Sequence, residues 1–133
     1  MGDYASALKD YTRVTQLDRK NFRAFMEKAH CNLLLKKVPA ALSDYRRAIN
    51  VNPKSFEPHL EMGKIYFDQN KFQQSIDALD KAIKLNSKSA EAYFYRGASK
   101  DQLKDYKSSC DDLRKAASLG HEKAIEINKA KCR

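Results

Sequence analysis

Apolar residues recur along this chain in two interleaved rhythms. In residues 56–89, Phe56, Leu60, Gly63 and Phe67 fall three or four positions apart, with Glu61 and Lys64 between them. That spacing places the four on one face of an α-helix. Gln69-Asn70-Lys71 interrupts the pattern. Phe72, Ser75, Ile76, Leu79, Ala82 and Ile83 then form a second stripe at helical spacing, and Asn86-Ser87-Lys88-Ser89 closes the unit with polar turn residues. The segment therefore predicts two helices joined by a short turn.

The slower rhythm has a period of 34. Tyr4, Val38, Phe72 and Tyr106 recur at that interval, as do Ala7, Ala41, Ser75 and Ser109. So do Tyr11, Tyr45, Leu79 and Leu113, then Val14, Ala48, Ala82 and Ala116, then Leu17, Val51, Leu85 and Leu119. Columns this well matched in size and polarity are the mark of an internal repeat. Phe25, His59 and Tyr93, and Ala29, Gly63 and Gly97, recur in three copies. Small residues such as Gly63, Ser75 and Ala82 mark places where paired helices approach closely, and a bulky side chain there would cost roughly 1–3 kcal/mol. Pro39 and Pro58 fall in first turns, where a missing N–H is harmless. Pro53 stops the helix before it, and Gly120 suits a left-handed helix end. The reading is eight helices, over 3–17, 22–36, 38–51, 56–69, 72–85, 90–103, 106–118 and 121–131.

On these residues the chain resembles the tetratricopeptide repeat (TPR) family, in its bacterial form, whose period is 34. YASALKDYTRVTQLD, VPAALSDYRRAINVNP, FQQSIDALDKAIKLN and YKSSCDDLRKAASLG are similar to the second TPR helix, and EMGKIYF at 61–67 and YRGASK at 95–100 to the first. The resemblance implies an all-α, right-handed superhelical solenoid of antiparallel helix hairpins. In that register residues 1–21 are the second helix of a truncated repeat. Three complete repeats follow at 22–55, 56–89 and 90–120, and 121–133 is a C-terminal capping helix, all within a single domain. A second helix without its first predicts a chain trimmed upstream. Residues 121–131 put Ala124, Ile125, Ile127 and Ala130 on one side and charges on the other, which suits a cap with a polar outer face. The other reading is the first helix of a further repeat. The chain departs from the family pattern in two places. Arg19, Ser87 and His121 stand where the late proline is expected, and Asn32 and Lys100 stand where Tyr66 supplies the usual large apolar residue.

The resemblance implies that first helices line a concave groove that takes a peptide or a partner helix. The groove-facing positions are Arg23, Met26, Glu27, His30, Leu33 and Leu34, then Glu57, Leu60, Glu61, Lys64 and Phe67. The last repeat adds Glu91, Phe94, Tyr95, Ala98, Asp101 and Gln102. Adjacent helix positions point about 100° apart, so Phe94 and Tyr95 cannot both be buried in one interface, and one of them serves as an aromatic anchor. The alternative is that both lean into helix packing. Family members with a carboxylate clamp grip acidic C-terminal tails with Lys, Asn and Arg. The corresponding positions hold Met26, His30, Glu61, Glu91 and Tyr95, so no such binding is expected.

Composition narrows the function classes. Only four glycines and three prolines argue against a turn-rich sandwich or barrel. No run of 18 apolar residues spans a membrane, and Met1-Gly2-Asp3-Tyr4 lacks the layout of a signal peptide. The net charge of +9, from 26 basic and 17 acidic residues, raises nucleic acid as a partner. The first helices (22–35, 56–69, 90–103) carry five bases against six acids, so the excess lies on second helices, turns and ends, including Arg46, Arg47 and Lys81 and the tail residue Arg133. Dispersed cations without stacking aromatics point to a solvated face rather than to nucleic acid. His30, His59 and His121 are widely spaced, and neither a catalytic constellation nor metal-ligand spacing is present, so neither catalysis, cofactor nor metal is expected. Cys31 is expected between helices. Cys110 is read as small and buried, and Cys132 as free and exposed. The alternative is a disulfide, because they lie ten residues before and twelve after Gly120. The primary reading is a protein–protein interaction module. Nucleic-acid or acidic-surface binding by the basic convex side, and a homodimer through the N-terminal helix, are the other readings.

Overall fold

A computed structural model describes residues 3–132; Met1, Gly2 and Arg133 lie outside it. The described residues form eight helices: α1 (Tyr4–Leu17), α2 (Phe22–Leu34), α3 (Val38–Val51), α4 (Glu57–Asp68), α5 (Phe72–Leu85), α6 (Ala90–Gln102), α7 (Tyr106–Ser118) and α8 (Glu122–Lys131). Every boundary lies within two residues of the sequence expectation. The chain divides into two compact units, Met1–Pro58 and His59–Arg133. In the first, α2 packs against α1 and α3; in the second, α6 packs against α5 and α7, and α8 against α7.

Local chemistry sets the helix ends. Asp3, Asn21, Ser89 and Asp105 each accept a hydrogen bond from the backbone N–H three residues on, which satisfies one orphan donor of the first turn. The Nδ1 of His121 does the same for Ala124. The turns from first to second helix are built alike. Lys36, Asn70 and Lys104 are left-handed, with φ of 61°, 60° and 67°. Beyond them the N–H groups of Lys37, Lys71 and Asp105 reach back to the carbonyls of Asn32, Tyr66 and Lys100 at 2.8, 2.8 and 2.9 Å. This closes each helix with its last carbonyls satisfied.

The small columns are hydrogen-bonded as well as close-packed. Ser75 Oγ donates to the carbonyl of Gly63 at 2.8 Å, and Ser109 Oγ to that of Gly97 at 2.7 Å. A Cβ at Gly63 would lie 2.6 Å from the fully buried Leu79 side chain. The first unit uses Ala29 against Ala41 instead, both fully buried.

A second paired column explains the departures at Asn32 and Lys100. Asp44 on α3 is buried, with Lys28 Nζ at 3.5 Å and Asn32 Nδ2 donating to it at 2.7 Å. Asp112 on α7 is buried, gripped by Arg96 through Nε at 2.9 Å and Nη2 at 2.7 Å, and by Lys100 Nζ at 2.8 Å. The middle repeat carries Ala78 in the aspartate column and Met62 and Tyr66 in the other two. Two solutions to one contact, ionic and apolar, thus alternate along the chain. Asp111, beside Asp112, is exposed and pairs with Arg114 at 3.3 Å.

Two expectations about the C-terminal end are corrected. Cys110 and Cys132 form a disulfide, with Cα atoms 5.5 Å apart, and Cys132 is buried rather than free and exposed. The α7–α8 hairpin turns at Gly120 (φ 93°) and brings the two cysteines to the same level. Ile125 and Ala130 are exposed, while Ala124, Ile127 and Cys132 pack on Leu113 and Ala116. The apolar stripe of α8 therefore follows 124, 127 and 132. Cys31 is buried with a free thiol, and burial, reinforced by the nearby Glu27 carboxylate, pushes its pKa up.

Candidate peptide-binding face

In the second unit α4 and α6 bring six of the expected site residues into one cluster. Lys64 Nζ lies 3.6 Å from Glu61 on its own helix and 3.2 Å from Glu91 on α6. It also sits 5.9 Å from the centre of the Tyr95 ring. Burial works against the Lys64 ammonium, but the Glu61 and Glu91 carboxylates together more than offset it, and its pKa is raised. Burial raises the Tyr95 phenol, with the Lys64 charge opposing.

Tyr95 meets Phe67 edge-on at 5.5 Å and Phe94 at 5.3 Å. Phe67 meets Phe72 at 5.6 Å, and Phe94 stacks on His121 at 4.2 Å and 12°. The aromatic row thus runs Phe72, Phe67, Tyr95, Phe94, His121. Phe94 and Tyr95 divide as their helical angle requires. Phe94 packs beside the Leu113–Ala116–Ala124 cluster, while Tyr95 stays with Phe67 and Lys64, and both are half-buried. A recess of about 580 Å³ opens beside them, bounded by Glu91, Phe94, Tyr95 and the Leu119–Lys123 turn. Phe72 and His121 were missed as neighbours of this face. Phe72 belongs to a second-helix column and His121 to the late-proline column, and neither column is reached from the first-helix register.

Other expected residues are placed differently. Met26 and Leu60 are only 6% and 7% exposed, so they offer packing rather than contact surface. In the first unit Arg23 lies between Glu27 at 3.9 Å and Glu57 at 3.6 Å, beside the Phe22 ring, and His30 is exposed. Asp101 stands apart from the cluster and pairs with Lys131 of α8 at 3.6 Å. Three of the five first-helix bases, Lys28, Arg96 and Lys100, turn toward second-helix aspartates. That leaves Arg23 and Lys64 against the six first-helix acids, a more acidic balance than counting by helix implied. Among the described residues no group of three or more His, Cys, Asp or Glu side chains could hold a metal ion. No helix among them is long and apolar enough to cross a membrane.

A family model described as TPR repeat matches residues 34–69 and 63–104, which together cover more than half of the sequence. Among solved structures, a crystal structure of MamA is 22% identical and superposes with a TM-score of 0.83, covering 98% of this chain and 81% of that one. The TPR domain of Arabidopsis OM64 is 24% identical, with a TM-score of 0.75 over 82% of this chain and 91% of the other. The N-terminal domain of stress-induced protein-1 (STI-1) from C. elegans is 16% identical, with a TM-score of 0.76 over 84% and 94%. No curated protein matches the sequence. At these identities the likeness is one of fold.

Proposed function

The chain belongs to the TPR repeat family, generally a protein–protein interaction module and typically non-catalytic, and we propose that its second unit docks a partner segment on the α4/α6 face. The observation that carries this is the Lys64 ammonium held between Glu61 and Glu91 beside the Tyr95–Phe67 pair. An apolar side chain of the partner rests against Tyr95 and Phe67, where a half-buried aromatic anchor is worth most. A Lys or Arg of the partner meets Glu91, whose side chain keeps 45% of its exposure. The same carboxylates repel an acidic C-terminal tail, so ligands of the carboxylate-clamp kind are not expected on this face.

Panning a phage-displayed random peptide library on the full chain tests this. Sequences that combine an apolar residue with Lys or Arg are expected among those enriched. Tyr95→Ala and Glu91→Lys are each expected to weaken them about tenfold, a loss of about 1.4 kcal/mol. Absence of such sequences from the enriched pool, or their binding indifferent to both substitutions in folded variants, overturns the proposal.

A further inference from the structure

The first unit holds a cleft of about 600 Å³ between α1 and α3, floored by α2. Thr12 and Arg19 line one wall, Asp44 and Arg47 the other, and Phe25 and Lys28 the floor. With Lys37 at the rim, four cations face one carboxylate. Both oxygens of that carboxylate are engaged, Oδ1 by Lys28 and Oδ2 by Asn32. Arg19, Lys37 and Arg47 have no ion-pair partner among the described residues.

The second unit shows how the same arrangement is neutralised from within. Two periods on, Lys28 becomes Arg96, Asp44 becomes Asp112, and Thr12 becomes Asp80. Arg96 spans the two second helices there, holding Asp112 at 2.7 Å and Asp80 at 3.0 Å. In the first unit the Thr12 hydroxyl instead donates to its own helix, at the Leu8 carbonyl, 2.7 Å away. The cation on the floor therefore receives one carboxylate where its counterpart receives two. Arg19 and Lys37 correspond to Ser87 and Asp105, so the fold does not require positive charge at either place.

We propose that this cleft binds an acidic peptide segment of a partner protein. One side-chain carboxylate lies beside Lys28 and Arg47 as Asp80 lies beside Arg96, and an apolar neighbour rests on the half-buried Leu8. Guanidinium groups suit this pairing because their planar donors match a carboxylate in two places. A peptide fits better than nucleic acid. Lys28 is recessed, its side chain 21% exposed, and is reached by a flexible side chain more readily than by a phosphate backbone. Phe25 is buried and offers no face for base stacking. The site is independent of the α4/α6 face.

The test is fluorescence anisotropy of the full chain with a labelled, end-blocked peptide of alternating Asp and Leu, beside the same peptide with Asn for Asp. The Asp peptide is expected to bind at least tenfold tighter than the Asn peptide. Thr12→Asp supplies the carboxylate from within and is expected to weaken binding at least tenfold while raising the thermal midpoint. Arg19→Ser combined with Arg47→Ser weakens binding similarly with little change in thermal midpoint. The proposal is overturned if saturable binding is absent up to about 1 mM. It is equally overturned if the two peptides bind alike, if Thr12→Asp and the double arginine variant bind as the parent does, or if a single-stranded oligonucleotide binds more tightly and displaces the peptide.

Discussion

Replacing Asp112 by alanine removes the most heavily contacted buried charge described in the second unit. Its side chain is 7% exposed and takes two hydrogen bonds from Arg96 and an ion pair from Lys100. Breaking a buried pair by removing one partner costs about 3–5 kcal/mol, because the other charge is left unmatched. Arg96 keeps Asp80 at 3.0 Å, so the uncompensated charge is that of Lys100, whose side chain is 17% exposed. The loss is therefore expected near the low end, about 3 kcal/mol. The middle repeat supplies a counter-experiment. Arg96→Met, Lys100→Tyr and Asp112→Ala together copy Met62, Tyr66 and Ala78. Apolar replacement of a whole buried network is often neutral or stabilising by about 1–4 kcal/mol, so the triple variant should recover the loss of the single one. Urea unfolding followed by circular dichroism gives both numbers. Hydrogen exchange at α6 and α7 localises them, since repeats couple mainly to their neighbours. A triple variant as unstable as Asp112→Ala would refute the reasoning, as would a single-variant loss below about 1 kcal/mol.

Gly63→Ala should destabilise the second unit by roughly 1–3 kcal/mol, since its Cβ would lie 2.6 Å from Leu79, less about 1 kcal/mol of helix propensity gained; an unchanged urea midpoint would show that Leu79 gives way freely. A thiol count in denaturant should find one free cysteine, Cys31, without reductant and three with it, and reduction of the bridge should cost about 3 kcal/mol for a separation of 22 residues. Three thiols without reductant would contradict the bridge. The folded-state pKa of His59 lies below the usual 6.5, first because of burial and then because of Lys81. The unfolded chain therefore binds the proton first as pH falls, so this contribution is complete above pH 6.5 and is lost as pH drops through 6.5 toward the folded-state pKa. His59→Gln should flatten that part of the stability profile, and an unaltered slope between neutral and mildly acidic pH would count against it.

The helices were legible because the period of 34 multiplies a weak local signal by four copies. Turn chemistry was less legible. Lys36 and Lys104 adopt the left-handed conformation usually left to glycine, at a cost of roughly 1–2 kcal/mol each, and only their alignment with Asn70 betrays them. The polar residues Asn32 and Lys100 look like defects when one column is read alone. Read together with the columns of Asp44 and Asp112, they are half of a substitution that exchanges an apolar contact for an ionic one. Which first-helix residues share a face was legible to the level of angle around each helix. Depth was not, because register does not say how far a neighbour covers Met26 or Leu60. Nor does it show that Cys110 and Cys132 share a level, which depends on how tightly the α7–α8 hairpin turns.

Charge shows most clearly why pairing matters more than counting. The first helices hold bases and acids in near balance, yet Lys28, Arg96 and Lys100 belong to the interior, where second-helix aspartates neutralise them. What those helices leave for a ligand is acidic in balance, with Lys64 already held by two glutamates. The second helices give up Asp44, Asp80 and Asp112 to the same pairs, and around the first unit's cleft, where Asp44 is already engaged, Arg19, Lys37 and Arg47 have no ion-pair partner among the described residues. The net charge of +9 is thus not a uniform coat. It is the remainder after the fold has drawn carboxylates inward, and the remainder is cationic at the α1/α3 cleft while the α4/α6 face is anionic. Each surface answers to a different set of substitutions: Glu91 and Tyr95 for the α4/α6 face, Thr12, Arg19 and Arg47 for the α1/α3 cleft.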